Sequence, residues 1–178
     1  MKNNKIIFAA IISATTFLGY NALAAQTTPD WVVQNAKATP GMLNSSVTQA
    51  NIATTVCKSG WTATIRPTVT YTNKLKDTQL KTTYLSYTKI WGPAASAYEE
   101  DHLISLQLGG NPSDPKNLWP QPYAGNGARK KDVVETALKR LVCAGTIKLA
   151  DAQKAILDWP TAYKKYVTSA DKPDTSDN

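Results

Sequence analysis

Gly109-Gly-Asn-Pro-Ser-Asp-Pro115 is the segment that most restricts how this chain can fold. Two glycines, two prolines and three polar turn formers in a row can continue neither a helix nor a strand. The chain must reverse there. Glu99 to Leu103 read as the strand entering the reversal, and Asn117-Leu-Trp-Pro as a short strand leaving it, ended or edged by Pro120. After Gly125-Asn-Gly127 comes the clearest helix, over 128–142. Val134, Ala137, Leu138, Leu141 and Val142 recur in it at helical spacing, with Lys130, Lys131, Lys139 and Arg140 on other faces. Gly145 stops it. Strand, turn, strand, helix predicts an α+β domain.

The flanks read less sharply. Val47 to Val56 suits a short helix, the alternation of Trp61-Thr-Ala-Thr-Ile-Arg66 suits a strand, and Thr72 can cap a helix to Thr82 with Leu75 and Leu80 buried. Tyr84 to Trp91 fits a strand or irregular packing. A helix is expected over 149–158 with Ala152, Ile156 and Leu157 inward, then a final one with Pro160 in its first turn. Residues 25–46 are polar and without sustained period, so a partly ordered arm is expected there. The domain is expected to span 47–167, with a disordered tail over 168–178.

Residues 1–24 read as a signal peptide: Lys2 and Lys5, the apolar run Ile6 to Leu18, then Ala22-Leu23-Ala24 as the cleavage site. The expectation is an exported protein, periplasmic or secreted, free of the membrane once the signal is removed. Of the formal charge of +7, Lys2 and Lys5 leave with the signal, so +5 remains. A basic surface favours a polyanion, with nucleic acid the natural partner. In an oxidising compartment Cys57 and Cys143 are expected to bond to each other. Zinc ligation fits poorly, since there is no Cys-x-x-Cys pair and only one histidine.

That histidine, His102, directly follows Glu99-Glu100-Asp101. A lone imidazole beside clustered acids, followed by a glycine turn and Asn117, suits a metal-dependent phosphodiesterase. The imidazole would be the general base, a carboxylate would hold the cation, and the asparagine would fix the loop. The alternative is a solvated acidic turn with an incidental histidine. Strand alternation sets Glu99 on the side of Asp101 and Glu100 on that of His102, which makes Glu100 the acid most simply read as solvated. The acids also tend to raise the histidine's pKa, against the pull of a bound cation.

The segment Glu99 to Gln121 resembles the HNH, or ββα-metal, nucleases in its Asp-His, apolar pair, Gly-Gly turn and Asn-Leu. Looser resemblance reaches Thr55 to Trp61 and Arg66-Pro67 upstream, and Lys131-Asp-Val-Val-Glu135 and Val142-Cys143 downstream. The resemblance implies a ββα-metal core: a short antiparallel hairpin and a helix, here with flanking helices and one disulfide. It implies His102 as base, Asp101 as metal ligand, Glu99 as a second ligand or a group behind it, and Asn117 as the loop's tie. The family's third position, often histidine, falls near Asn126, which reads either as an amide ligand or as an ordinary turn residue. Ser105 stands where the family usually has proline, with an effect expected on loop rigidity only. Arg129 in the helix's first turn is the candidate phosphate contact, while Lys130 and Lys131 read more simply as a solvated face.

These readings predict a monomeric endonuclease using magnesium, or another divalent cation such as manganese, on DNA or RNA with little sequence specificity. A catalytically inactive DNA-binding module on the same scaffold is one rival, and an antibacterial toxin or effector nuclease is another. A cell-wall hydrolase would need paired carboxylates or a zinc site, and neither is evident.

Overall fold

The computed structural model describes Trp31 to Asp171. The signal peptide read over 1–24, the first residues of the arm and the end of the tail lie outside the described residues. The chain runs through α1 (Trp61–Ile65), α2 (Val69–Lys81), α3 (Leu85–Trp91), β1 (Tyr98–His102), β2 (Leu118–Pro122), α4 (Ala128–Cys143), α5 (Leu149–Leu157) and α6 (Trp159–Tyr166), an α+β arrangement. The strands pair antiparallel, with Asp101 opposite Trp119 and His102 opposite Leu118. Pro120 sits inside β2, opposite Glu100. A two-stranded sheet leaves each strand one unpaired edge, so a residue without an N–H is tolerated there.

The hairpin lies between two apolar clusters, and consecutive residues feed them. Leu103 joins Val32, Tyr84 and Trp119 on one side. Ile104 joins Val134, Leu138, Val142, Ile156 and Trp159 on the other. Trp119, Leu103, Leu138 and Trp159 are fully buried, and each such side chain stabilises the fold by roughly 1.5–3 kcal/mol relative to exposure. Cys57 and Cys143 are bonded, with Cα atoms 5.6 Å apart across a separation of 86 residues. The bridge fastens the segment before α1 to the end of α4. Closing so long a loop stabilises by about 4–5 kcal/mol in the chain-entropy account.

Several local expectations need correction. Trp61 to Arg66 is not a strand: Trp61–Ile65 is helix α1, with Trp61, Thr62 and Ile65 on its less exposed side, a helical spacing that five residues cannot distinguish from alternation. Tyr84 to Trp91 is mostly helix α3. The cap of α2 is Thr68, which accepts from the Tyr71 N–H, rather than Thr72. Val47 to Val56 contains only a 3-10 stretch, Gln49–Thr54, broken at Asn51. Leu157 is 37 % exposed rather than inward.

Chain ends within the described region are anchored. Val32 is buried, its N–H donates to the Asn126 carbonyl, and Leu43 bridges Gly110. Past Thr168, Asp171 accepts two bonds of 3.0 Å from Arg140, which hold its carboxyl down at about 2. Among the described residues no helix is long and apolar enough to cross a membrane.

Candidate active site

Alternation along β1 turns Glu99 and Asp101 to one side, where α4 and the hairpin loop close a polar cleft of about 100 Å³. Arg66, Ser105, Gln107, Asp132 and Glu135 complete its walls, and His102, at the strand end, lines it too.

His102 is 6 % exposed, and its Nε2 lies 2.9 Å from the carbonyl of Pro112. A carbonyl can only accept, so Nε2 carries the proton and Nδ1 keeps a free lone pair. Burial pulls the imidazole pKa down to about 4, helped by the Lys131 ammonium and against the Pro112 carbonyl. The sequence left open whether acids or cation would win; desolvation outweighs the neighbouring acids. At neutral pH the ring is an uncharged base.

Asn117 holds the loop that aims this ring. It is fully buried; its Oδ1 accepts from the N–H of Ile104 at 2.9 Å and of Met42 at 3.3 Å. Its Nδ2 donates to the carbonyls of Ile104 at 3.0 Å and Asn111 at 2.9 Å. Asn111 precedes Pro112, so the amide that clamps the loop also sets the carbonyl that orients His102. Gly110 makes the clamp possible: a Cβ there would stand 1.7 Å from the Ile104 oxygen and 2.9 Å from Asn117 Nδ2.

Lys131 is not on a solvated face. Its side chain is 1 % exposed, and its Nζ lies 2.7 Å from Asp101 Oδ2 and 2.5 Å from Glu135 Oε1, and donates to the His102 carbonyl at 2.7 Å. Burial alone would lower its pKa, but Asp101 and Glu135 outweigh that and hold it above the usual lysine range. Ser105 Oγ donates to Glu135 Oε2 at 2.6 Å and accepts from the Gln107 N–H. The serine is therefore part of the cleft's bonding, beyond the loop rigidity expected of it. Sequence reading missed Lys131, Glu135 and Asp132 as cleft residues. The signal was present: Lys131, Val134, Glu135, Leu138 and Val142 share one helical stripe, and an i, i+4 Lys–Glu pair inside an apolar stripe points inward.

Glu100 also departs from expectation. Rather than solvated, both its carboxylate oxygens are buried without a hydrogen-bond partner. Burial, then Asp101, pushes its pKa up to about 9, against the pull of Lys76. Arg129 stands at the rim, 75 % exposed, paired with Asp132 at 3.4 Å. Asn126 does not line the cleft; its carbonyl accepts from Val32 instead.

The donor set bears on whether a divalent cation suits this cleft. Glu99 is raised by burial and by Asp101, and Asp132 by burial and by Glu135. Asp101 is raised by burial even against Lys131. Four acids, Glu99, Asp101, Asp132 and Glu135, line the cleft with Arg66, while Lys131 pairs with Asp101 and Glu135 and Arg129 with Asp132. Among the described residues no three His, Cys, Asp or Glu side chains are placed to enclose an ion. A cation such as magnesium, which one or two carboxylates hold with water completing its shell, would meet Glu99 and Asp101 here, with Asp101 Oδ2 already 2.7 Å from Lys131 Nζ. Set against known proteins, the chain matches no family model, no curated protein and no solved structure.

Proposed function

We propose that this protein is an exported HNH-type endonuclease, built on a ββα-metal core of β1, β2 and α4, that hydrolyses phosphodiester bonds of DNA, or RNA, with little sequence specificity. The observation that carries the reading is a neutral, buried His102 with a free Nδ1 in a carboxylate-lined cleft. A phosphodiester resists attack because its charge repels nucleophiles and its leaving alkoxide is poor. His102 Nδ1 takes the proton of a water as that water attacks phosphorus, and the ring charge so formed lies beside Asp101 and Glu135. Asn117 and Pro112 keep the ring aimed. Asp101 and Glu99 would hold a magnesium or manganese ion, whose charge stabilises the departing oxygen. Arg129, exposed at the rim, contacts a neighbouring phosphate.

A second reading, a catalytically inactive nucleic-acid-binding module, is favoured by Lys131. Its ammonium already occupies Asp101 Oδ2, and Asn126 offers no third ligand to the cleft. Plasmid nicking separates the two. The nuclease converts supercoiled plasmid in magnesium or manganese and stops in chelator, and His102→Ala loses on the order of 10²–10⁴ in rate. Binding without cleavage in either metal leaves the module; full cleavage in chelator removes the HNH assignment, and full cleavage by His102→Ala removes His102 as the base.

A further inference from the structure

Three tyrosines each carry a cation near the ring. Arg129 lies 5.2 Å from the centroid of Tyr123, Lys130 5.4 Å from that of Tyr163, and Lys165 4.9 Å from that of Tyr166. The pairs are linked in the fold: Arg129 and Lys130 are consecutive at the start of α4, and Tyr163 and Tyr166 are i, i+3 neighbours on α6. Their near end meets the cleft, since Arg129 pairs with Asp132 of its wall. Tyr123 is 40 % exposed, Lys130, Lys164 and Lys165 are exposed, and α6 carries no acid past its cap, Asp158. Basic residues at the start of α4 oppose its dipole, a cost that an anionic ligand reverses.

We infer that this strip takes a single-stranded nucleic acid and leads it to the cleft. The inference rests on the nuclease reading only for what happens at the cleft end. Cations at short intervals match phosphates, and each tyrosine offers a flat face for a base. Bases show their faces only when unpaired; in a duplex they are stacked on one another, and the rings would add nothing. The guanidinium of Arg129 is itself a stacking plane.

The test is binding in chelator, so that no cleavage intervenes. Fluorescence anisotropy would compare oligothymidine of about 12 nucleotides, oligouridine of the same length and a hairpin duplex with as many phosphates. Both single strands are expected to bind about tenfold or more tightly than the duplex, and a preference for either supports the strip. Tyr123→Leu and Tyr163→Leu should each lose about tenfold on single strands, since a stacked base contributes about 1–3 kcal/mol, while duplex binding stays put. Arg129→Ala should weaken both and lower the salt slope by about one phosphate. Tyr163 also packs against Trp31 at 5.4 Å, so Tyr123→Leu, at an exposed position, carries the test if the other variant unfolds. Duplex binding as tight as single-strand binding, or single-strand binding indifferent to Tyr123, overturns the strip. Plasmid cleavage fails or succeeds independently of this result, so the two readings fall separately.

Discussion

Burial of a single ring decides the chemistry open to His102. Its neutral form is the one with a usable lone pair, and burial, helped by the repulsion of Lys131 and opposed by the backbone bond to Pro112, sets a pKa of about 4. A base is active when unprotonated, so nicking should stay level as pH falls from 7 to 5 and drop only as pH passes through about 4. A rate profile with its acid limb near the ordinary histidine value would show a solvated ring instead. Lys131 works in the opposite sense, as a charge that must stay. Lys131→Met leaves the Asp101 and Glu135 carboxylates buried without their partner, which typically costs about 3–5 kcal/mol. Urea unfolding should show that loss at pH 7 and a smaller one in acid, because Asp101, whose pKa burial already raises, takes up a proton the more readily. A loss below about 1 kcal/mol would mean that the cleft does not depend on the ammonium.

At the level of elements, the hairpin depends on the loop between its strands more than on its ladder. Asn117→Ala strands the Ile104 N–H and the carbonyls of Ile104 and Asn111, and should cost about 2–4 kcal/mol. Asn117→Asp keeps an acceptor for Ile104 but sets a carboxylate against those two carbonyls, so it should be no milder. Thermal unfolding of both variants checks this, and an Asp variant as stable as wild type would remove the two donated bonds from the account. Hairpin and α4 were legible because their signals are local: turn residues on one side, an apolar period on the other. Helix α1 was not, since Trp61 and Ile65 fit a strand as well as one helical turn. Lys131 was hidden by its own type, as a lysine is rarely fully buried. Residues 31–46 escaped for another reason. Backbone bonds to Asn126, Lys116 and Gly109 fix that segment, and no side-chain pattern records such bonds.

For the molecule as a whole, the cysteines were the most readable long-range contact, because two thiols in a chain read as exported leave one pairing. Which elements they would join was not readable, as that depends on where α1 and α4 meet. The bridge leads, through α1, to Arg66 on one wall of the cleft and ends the helix that carries Lys131, Asp132 and Glu135 on the other. Opening it should lower stability by about 2–5 kcal/mol and slow plasmid nicking. Melting curves and cleavage rates with and without dithiothreitol would measure both, and a reduced chain as stable and as fast as the oxidised one would separate bridge from cleft. If that outcome and the proposed exported nuclease both hold, a chain newly made in a reducing cytosol is a blunted cutter, and the cell that makes it is shielded from its own product until that product has left.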